Sequence, residues 1–187
     1  FIDILMKTSK KTMGKLNVVS NGILINDEII DAFIKSKMML LSVSLDGYGR
    51  NHDINRAKDG IWDKIMDNFD NMNSRKKRPM IDIKTIVLEN NLDDLPKLYK
   101  MCDEKNFNFL SISFLRNNNL KQNSVLFDSF VPEFNANYPI EKYFDMDHFK
   151  EVYKELTSLS KNSKVKLRFS PKFEYCENPL EKIEEFF

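Results

Sequence analysis

Hydrophobic and polar positions alternate with a period of two at several places along the chain. Between Leu40 and Asp46, Leu41, Val43 and Leu45 alternate with Ser42, Ser44 and Asp46, the pattern of a strand with one apolar and one polar face. Met80 to Leu88 repeats it, with Asp82 and Lys84 between Ile81, Ile83 and Thr85, and Phe109 to Leu115 sets Ser111 and Ser113 opposite Leu110, Ile112 and Phe114. Leu16 to Ser20 and Val165 to Phe169 read as two further short strands. Between these segments the period lengthens to that of a helix. Phe1 to Thr12 carries Phe1, Ile4, Leu5 and Thr8 on one face, Glu28 to Lys35 carries Ile29, Ile30, Phe33 and Ile34, and Asn26 or Asp27 can cap the latter. Trp62 to Asn73 (stripe Ile61, Ile65, Phe69, Met72), Leu92 to Lys105 and Asp147 to Leu159 (Phe149, Val152, Tyr153, Leu156) are further helices, with a closing one over Leu180 to Phe187.

Strands alternating with helices imply βα units and a parallel sheet, either doubly wound or curled into a barrel. A doubly wound sheet is covered on both faces and its strands read as nearly continuous apolar runs, whereas an incomplete barrel can carry polar groups on its concave side. The polar strand faces therefore favour an α/β fold of the partial TIM-like barrel type. Asn117 to Tyr143, polar and aromatic with Pro132 and Pro139, has no clear period; it reads equally as a substrate-facing loop or a connecting excursion.

Composition narrows the class. Hydrophobic residues make up 42% and charged residues 30% of 187, with five Gly and six Pro, as in a folded domain rather than a disordered chain. A net charge of +1 argues against a nucleic-acid binder, and the basic turn Ser74 to Arg78 reads as a solvated loop. Cys102 and Cys176 are far apart, which fits a reducing compartment and supplies no metal motif. With no apolar run of spanning length and no signal-peptide zones, no membrane association is expected and a cytoplasmic location follows by default. The chain opens directly in helix without Met, as a piece cut from something longer would.

Candidate chemistry concentrates in Leu40 to Arg56, where a strand runs into a loop crowded with Asp, Gly, Asn, His and Arg. In a barrel Ser42, Ser44 and Asp46 line the interior, and Gly47 and Gly49 let the backbone turn at its mouth; a solvated strand face would show the same alternation. Asn21 follows a strand at the corresponding mouth position. Arg56 has the planar fork suited to a carboxylate, while His52 and Asp53 read as either an acid-base pair or exposed loop residues. Lys84 and Lys166 raise a Schiff-base, aldolase-like reading, against which Asp82, two residues from Lys84, is expected to form an ion pair that keeps it charged. Glu89 at a strand end is either a ligand contact or a helix-approach residue.

VVSNGILIND (18–27), SVSLDGYGRNHDINR (42–56), IKTIVLENNLDDLPKL (83–98) and FLSISFL (109–115), in this order and spacing, resemble the radical S-adenosylmethionine superfamily. Within it they resemble members acting on peptides and proteins, such as sulfatase-maturing enzymes and relatives with SPASM or twitch extensions. The resemblance implies a (β/α)6 partial barrel over residues 1–116, with 117–187 a C-terminal extension that completes or covers it. It further implies S-adenosylmethionine and a four-iron four-sulfur cluster at the strand C-termini. Reductive cleavage of the cofactor releases a 5′-deoxyadenosyl radical that abstracts hydrogen from a peptide or protein substrate, with an electron donor such as ferredoxin or flavodoxin.

On this resemblance Ser44 matches the serine near the cofactor's ribose and methionyl groups, and Arg56 the arginine that pairs with its carboxylate. Asn21 belongs to the SNG element of the same pocket, Asp46 to the SLDG motif, and Leu115 to the last strand near the adenine. It also implies that His52 and Asp53 shape the loop. The CxxxCxxC motif that holds the cluster and the GGE element are absent and are expected upstream of Phe1, so the chain by itself is expected to be inactive. The alternatives are a relative that has lost its chemistry and a non-catalytic barrel fragment serving as scaffold or recognition module.

Overall fold

Five parallel strands lie side by side in chain order, β1 (Asn17–Ser20), β2 (Leu40–Ser44), β3 (Met80–Ile86), β4 (Phe109–Ser113) and β5 (Lys166–Ser170), in a computed structural model that describes residues 1–13, 15–114 and 145–170. Helices α1 (Ile2–Thr12), α2 (Asp27–Lys35), α3 (Arg50–Asn55), α4 (Ile61–Asn73), α5 (Leu95–Glu104) and α6 (Met146–Ser160) fill the intervals, with a 3₁₀ segment, Glu89–Asp94, ahead of α5. Helices α2 and α6 start at side chains that satisfy their free N–H groups. Asn26 accepts from the Ile29 N–H at 3.0 Å, and Asp145 accepts from the N–H groups of Asp147 and His148 at 2.9 and 3.2 Å.

The two faces of the sheet differ as the alternation predicts. Leu41, Val43, Leu45, Ile81, Ile83, Leu110 and Ile112 are fully buried and share one core with Ile30, Phe33, Ile65, Phe69, Leu98 and Phe149 from the helices. Each such side chain contributes about 1.5–3 kcal/mol on burial, so helix cover on this face holds the sheet together. The opposite face is polar, which makes the architecture a partial (β/α) barrel. Parallel register arranges that face in rows across the strands: Val19, Ser42, Asp82, Phe109 and Lys166 in one, Ser44, Lys84, Ser111 and Arg168 in the next toward the strand C-termini.

The segment expected as an extension contributes α6 and β5 to the same layers. The buried Tyr99 hydroxyl donates to the Val165 carbonyl at 2.7 Å, tying α5 to the start of β5. Leu115, the closing helix and the stretch from Asn117 to Tyr143 lie outside the described residues.

Three expectations need correction. In α1 the buried residues are Leu5 and Ser9, while Ile4 is 69% exposed: the helix meets its neighbours along one narrow i, i+4 seam rather than a broad face. Arg50–Asn55, read as loop, is a short helix with no apolar stripe to announce it. Asp82 forms no ion pair with Lys84; it is 2% exposed, and each of its oxygens accepts a hydroxyl, from Ser42 at 3.1 Å and Ser111 at 2.7 Å. Ser42 stands directly across from Asp82, about 4.8 Å away by strand spacing, against about 6.6 Å to Lys84 along the strand, and Ser111 reaches the carboxylate diagonally from β4.

Candidate functional site

Beyond Ser44, β2 leaves the sheet through Leu45 and Asp46 and turns at Gly47 into α3. A Cβ on Gly47 would stand 3.0 Å from the Asn51 carbonyl carbon and the His52 nitrogen, so only glycine lets the helix fold back this tightly. The return brings Arg56 back onto Asp46, with a guanidinium nitrogen 2.6 Å from the carboxylate. Asp46 is half-buried and the Arg56 side chain 35% exposed, so one edge of the guanidinium is held and the remainder is open.

A net of amides fixes this turn. The Asp46 carbonyl accepts from the side-chain amides of Asn55 and of Asn91, the latter at 3.2 Å. Asn91, wholly buried, also accepts from the Leu88 N–H at 2.9 Å and donates to the Ile86 carbonyl at 2.8 Å, so the mouths of β2 and β3 are clipped together. Asp94 accepts from the Tyr48 N–H at 3.0 Å and the Asn51 amide at 2.8 Å, and pairs with Lys97 at 3.0 Å. Sequence reasoning passed over these residues; the signal was the density of Asn in NHDIN (51–55) and ENN (89–91), whose amides can donate and accept at once.

His52 and Asp53 serve the loop. The Asp46 N–H donates to Nδ1 of His52 at 3.1 Å, which requires that nitrogen unprotonated, and the ring is 1% exposed. Burial, and next the Arg56 charge, lower the His52 pKa, with Asp46 and Asp53 acting the other way. The Asp53 carboxylate accepts from the N–H groups of Gly60 at 2.6 Å and Trp62 at 2.8 Å, capping α4 from a neighbouring helix.

Of the predicted site residues, Asp46 and Arg56 are brought into contact. Ser44 lies half-buried on the polar face, one residue before Leu45, and its hydroxyl has no partner among the described residues. Asn21 is exposed at the end of β1, its side chain turned back to accept from the Ile23 N–H at 3.2 Å. Glu89 is exposed at the start of the 3₁₀ segment. Lys84 is exposed, without the desolvation that makes a lysine nucleophilic.

Among the described residues no group of His, Cys, Asp or Glu is arranged to hold a metal ion. Cys102 is buried in the core, where desolvation raises its thiol far above the usual range. The described residues therefore do not fit the thiolate requirement of an iron–sulfur cluster. An open cleft of about 510 Å³, lined by Lys37, Lys76, Arg78, Met80 and Asn108 among others, lies at the opposite end of the strands, away from the Asp46–Arg56 pair. Parallel βα sheets bind ligands at the strand C-termini, which favours the Asp46–Arg56 end.

The fold defines a partial-barrel class, and solved structures match the chain in fold. Streptococcus suis SuiB bound to the precursor peptide SuiA matches with a TM-score of 0.62 at 13% identity, over 90% of this chain and 34% of that one. SuiB bound to S-adenosylmethionine matches with 0.59 at 12% identity, over 90% and 35%. Native anSMEcpe with bound AdoMet matches with 0.55 at 17% identity, over 82% and 40%. The fold is thus that of SuiB and anSMEcpe, and the chain spans roughly a third of the length of SuiB and two fifths of anSMEcpe. No protein-family model matches the sequence, and no curated sequence does.

Proposed function

We propose that the chain is the later part of a radical S-adenosylmethionine barrel acting on a peptide or protein, and that Ser44, Asp46, Arg56 and Asn21 line the cofactor pocket, with Leu115 near the adenine. The observation that carries the reading is the Asp46–Arg56 pair just beyond the C-terminal end of β2, two residues along from Ser44, whose hydroxyl has no partner among the described residues. Two solved structures of this fold hold S-adenosylmethionine and another holds a precursor peptide. The donor set suits a zwitterionic cofactor with ribose hydroxyls. Asp46 orients Arg56 by one edge, and the free N–H groups of the fork can take an α-carboxylate bidentately. Ser44 can donate to or accept from a hydroxyl.

Ser44, Asp46 and Arg56 would hold S-adenosylmethionine there, and the chemistry it would supply is hydrogen abstraction from substrate by a 5′-deoxyadenosyl radical. Cluster ligands come from outside the described residues, and electrons from a donor such as ferredoxin or flavodoxin. The chain's own contribution is to position the cofactor: the Asn55 and Asn91 amides hold the Asp46 backbone, and Asp46 holds Arg56.

Calorimetric titration of S-adenosylmethionine into the full-length protein tests the site. Arg56→Ala is expected to weaken binding by about tenfold or more, the worth of a charge-assisted bidentate pair, and Ser44→Ala by less. Unchanged affinity in both variants refutes the assignment. Anaerobic reconstitution with iron and sulfide tests the cluster: absence of its absorbance band refutes the enzyme reading.

A further inference from the structure

Among the described residues the strands of the polar face carry Lys84, Lys166 and Arg168 against one carboxylate, Asp82, in a chain whose net charge is only +1. Register puts Ser44, Lys84, Ser111 and Arg168 in one row across four strands, so Lys84 and Arg168 flank Ser111 on the row that begins at the proposed cofactor serine. Their backbones are two strand spacings apart, about 10 Å. Each side chain is longer than half that span, so ammonium and guanidinium can reach one acceptor above Ser111.

Neither cation makes an ion pair among the described residues. Lys84 is exposed and has no hydrogen-bond or ion-pair partner among the described residues. The Arg168 guanidinium carbon sits 3.5 Å from the centroid of the Phe109 ring. A guanidinium that close to a ring stacks on its face, which fixes the side chain while leaving the N–H edge for an in-plane acceptor. Asp82 has both oxygens engaged by hydroxyls, one of them that of Ser111 itself, so its charge lies directly beneath the row. With Lys166 in the row below, the cations of this face outnumber its one buried carboxylate, so the face carries net positive charge and suits an anionic group such as a carboxylate.

We infer that the Lys84–Ser111–Arg168 row receives a carboxylate of the substrate, holding an acidic peptide in the barrel beside the Ser44 end of the cofactor pocket. The inference rests on the cofactor reading above for what lies next to the row, but the row's ligand is tested independently of it. Fluorescence anisotropy with the full-length protein compares three short labelled peptides: one amidated with a central Glu, the same with Gln, and the Gln peptide with a free C-terminal carboxylate. At least one carboxylate peptide is expected to bind about tenfold tighter than the amidated Gln peptide. Which one does so tells a side-chain carboxylate from a chain terminus. The double variant Lys84→Met with Arg168→Met is expected to reduce that preference to within about twofold, and Lys84→Arg to retain it. S-adenosylmethionine affinity is expected to stay within about twofold in every variant.

Absence of a preference in the wild type, or its persistence in the double variant, overturns the inference. So does a loss of S-adenosylmethionine affinity in the double variant as large as the loss of peptide affinity, which would assign the row to the cofactor. A carboxylate preference that depends on Lys84 and Arg168 in a protein that binds no S-adenosylmethionine would uphold the row and refute the cofactor reading.

Discussion

Replacing Asn91 by Asp exchanges an amide for a carboxylate on a side chain with no exposed surface. The bond from the Leu88 N–H survives, because a carboxylate oxygen accepts as an amide oxygen does. Both donors vanish, and the carbonyls of Ile86 and Asp46, at 2.8 and 3.2 Å from the amide nitrogen, then face an anion. Two lost hydrogen bonds cost about 1 kcal/mol each, and the buried charge against two carbonyls adds a similar amount or more, for a total of about 4 kcal/mol at pH 7. Asn91→Ala loses three bonds but buries no charge, about 3 kcal/mol. Urea unfolding of the full-length protein followed by circular dichroism measures both. The Asp variant carries a second signature. Desolvation raises the pKa of the introduced carboxyl, so as the pH is lowered it takes up a proton early, regains one donor, and the deficit relative to wild type narrows. An Asn91→Asp protein within about 0.5 kcal/mol of wild type at pH 7 would refute the claim that this amide clips the two strand mouths together.

Asp53→Ala removes the carboxylate that accepts from the Gly60 and Trp62 N–H groups and is expected to cost about 2–3 kcal/mol in the same assay, whereas Asp53→Asn, which keeps an acceptor, is expected to cost about 1 kcal/mol. His52 is held neutral and its pKa lies below the ordinary 6.5, so in the pH interval below 6.5 the unfolded chain binds the extra proton and the folded chain does not. His52 thus favours folding above pH 6.5, and this contribution is lost as pH falls through 6.5 toward the lowered value. Unfolding free energy measured from pH 7.5 to 5 is expected to decline, and the decline to be shallower in His52→Asn; equal slopes would show that His52 is not the group responsible.

The alternation of side chains made the strands legible because it follows from pleat geometry alone: Leu41, Val43 and Leu45 are buried under helices as their spacing demands, whatever lies on the other face. The helices with broad apolar stripes, α2 and α4, were readable for the same reason. What sequence could not show was the partner of each polar group. Asp82 and Lys84 are neighbours in the chain, yet the closest hydroxyls to Asp82 come from strands 40 positions before and 29 after it. Helix α3 was invisible because its stability resides in Gly47, in the His52 and Asn55 contacts to Asp46, and in Asn91 and Asp94 from beyond β3, none of which leaves a periodic trace. Asp46 and Arg56 were singled out separately as candidates; that they grip one another depends on that helix turning back. The two residues were therefore legible singly, and their contact was not.

Because strand order in the sheet equals strand order in the chain, each strand emerging during synthesis finds its partner already laid down by the strand before it. Among the described strands none must wait for, or insert between, others made later, so this sheet can grow by addition at one edge. Such growth buries the helix-covered face unit by unit. The polar face takes no part in that apolar core.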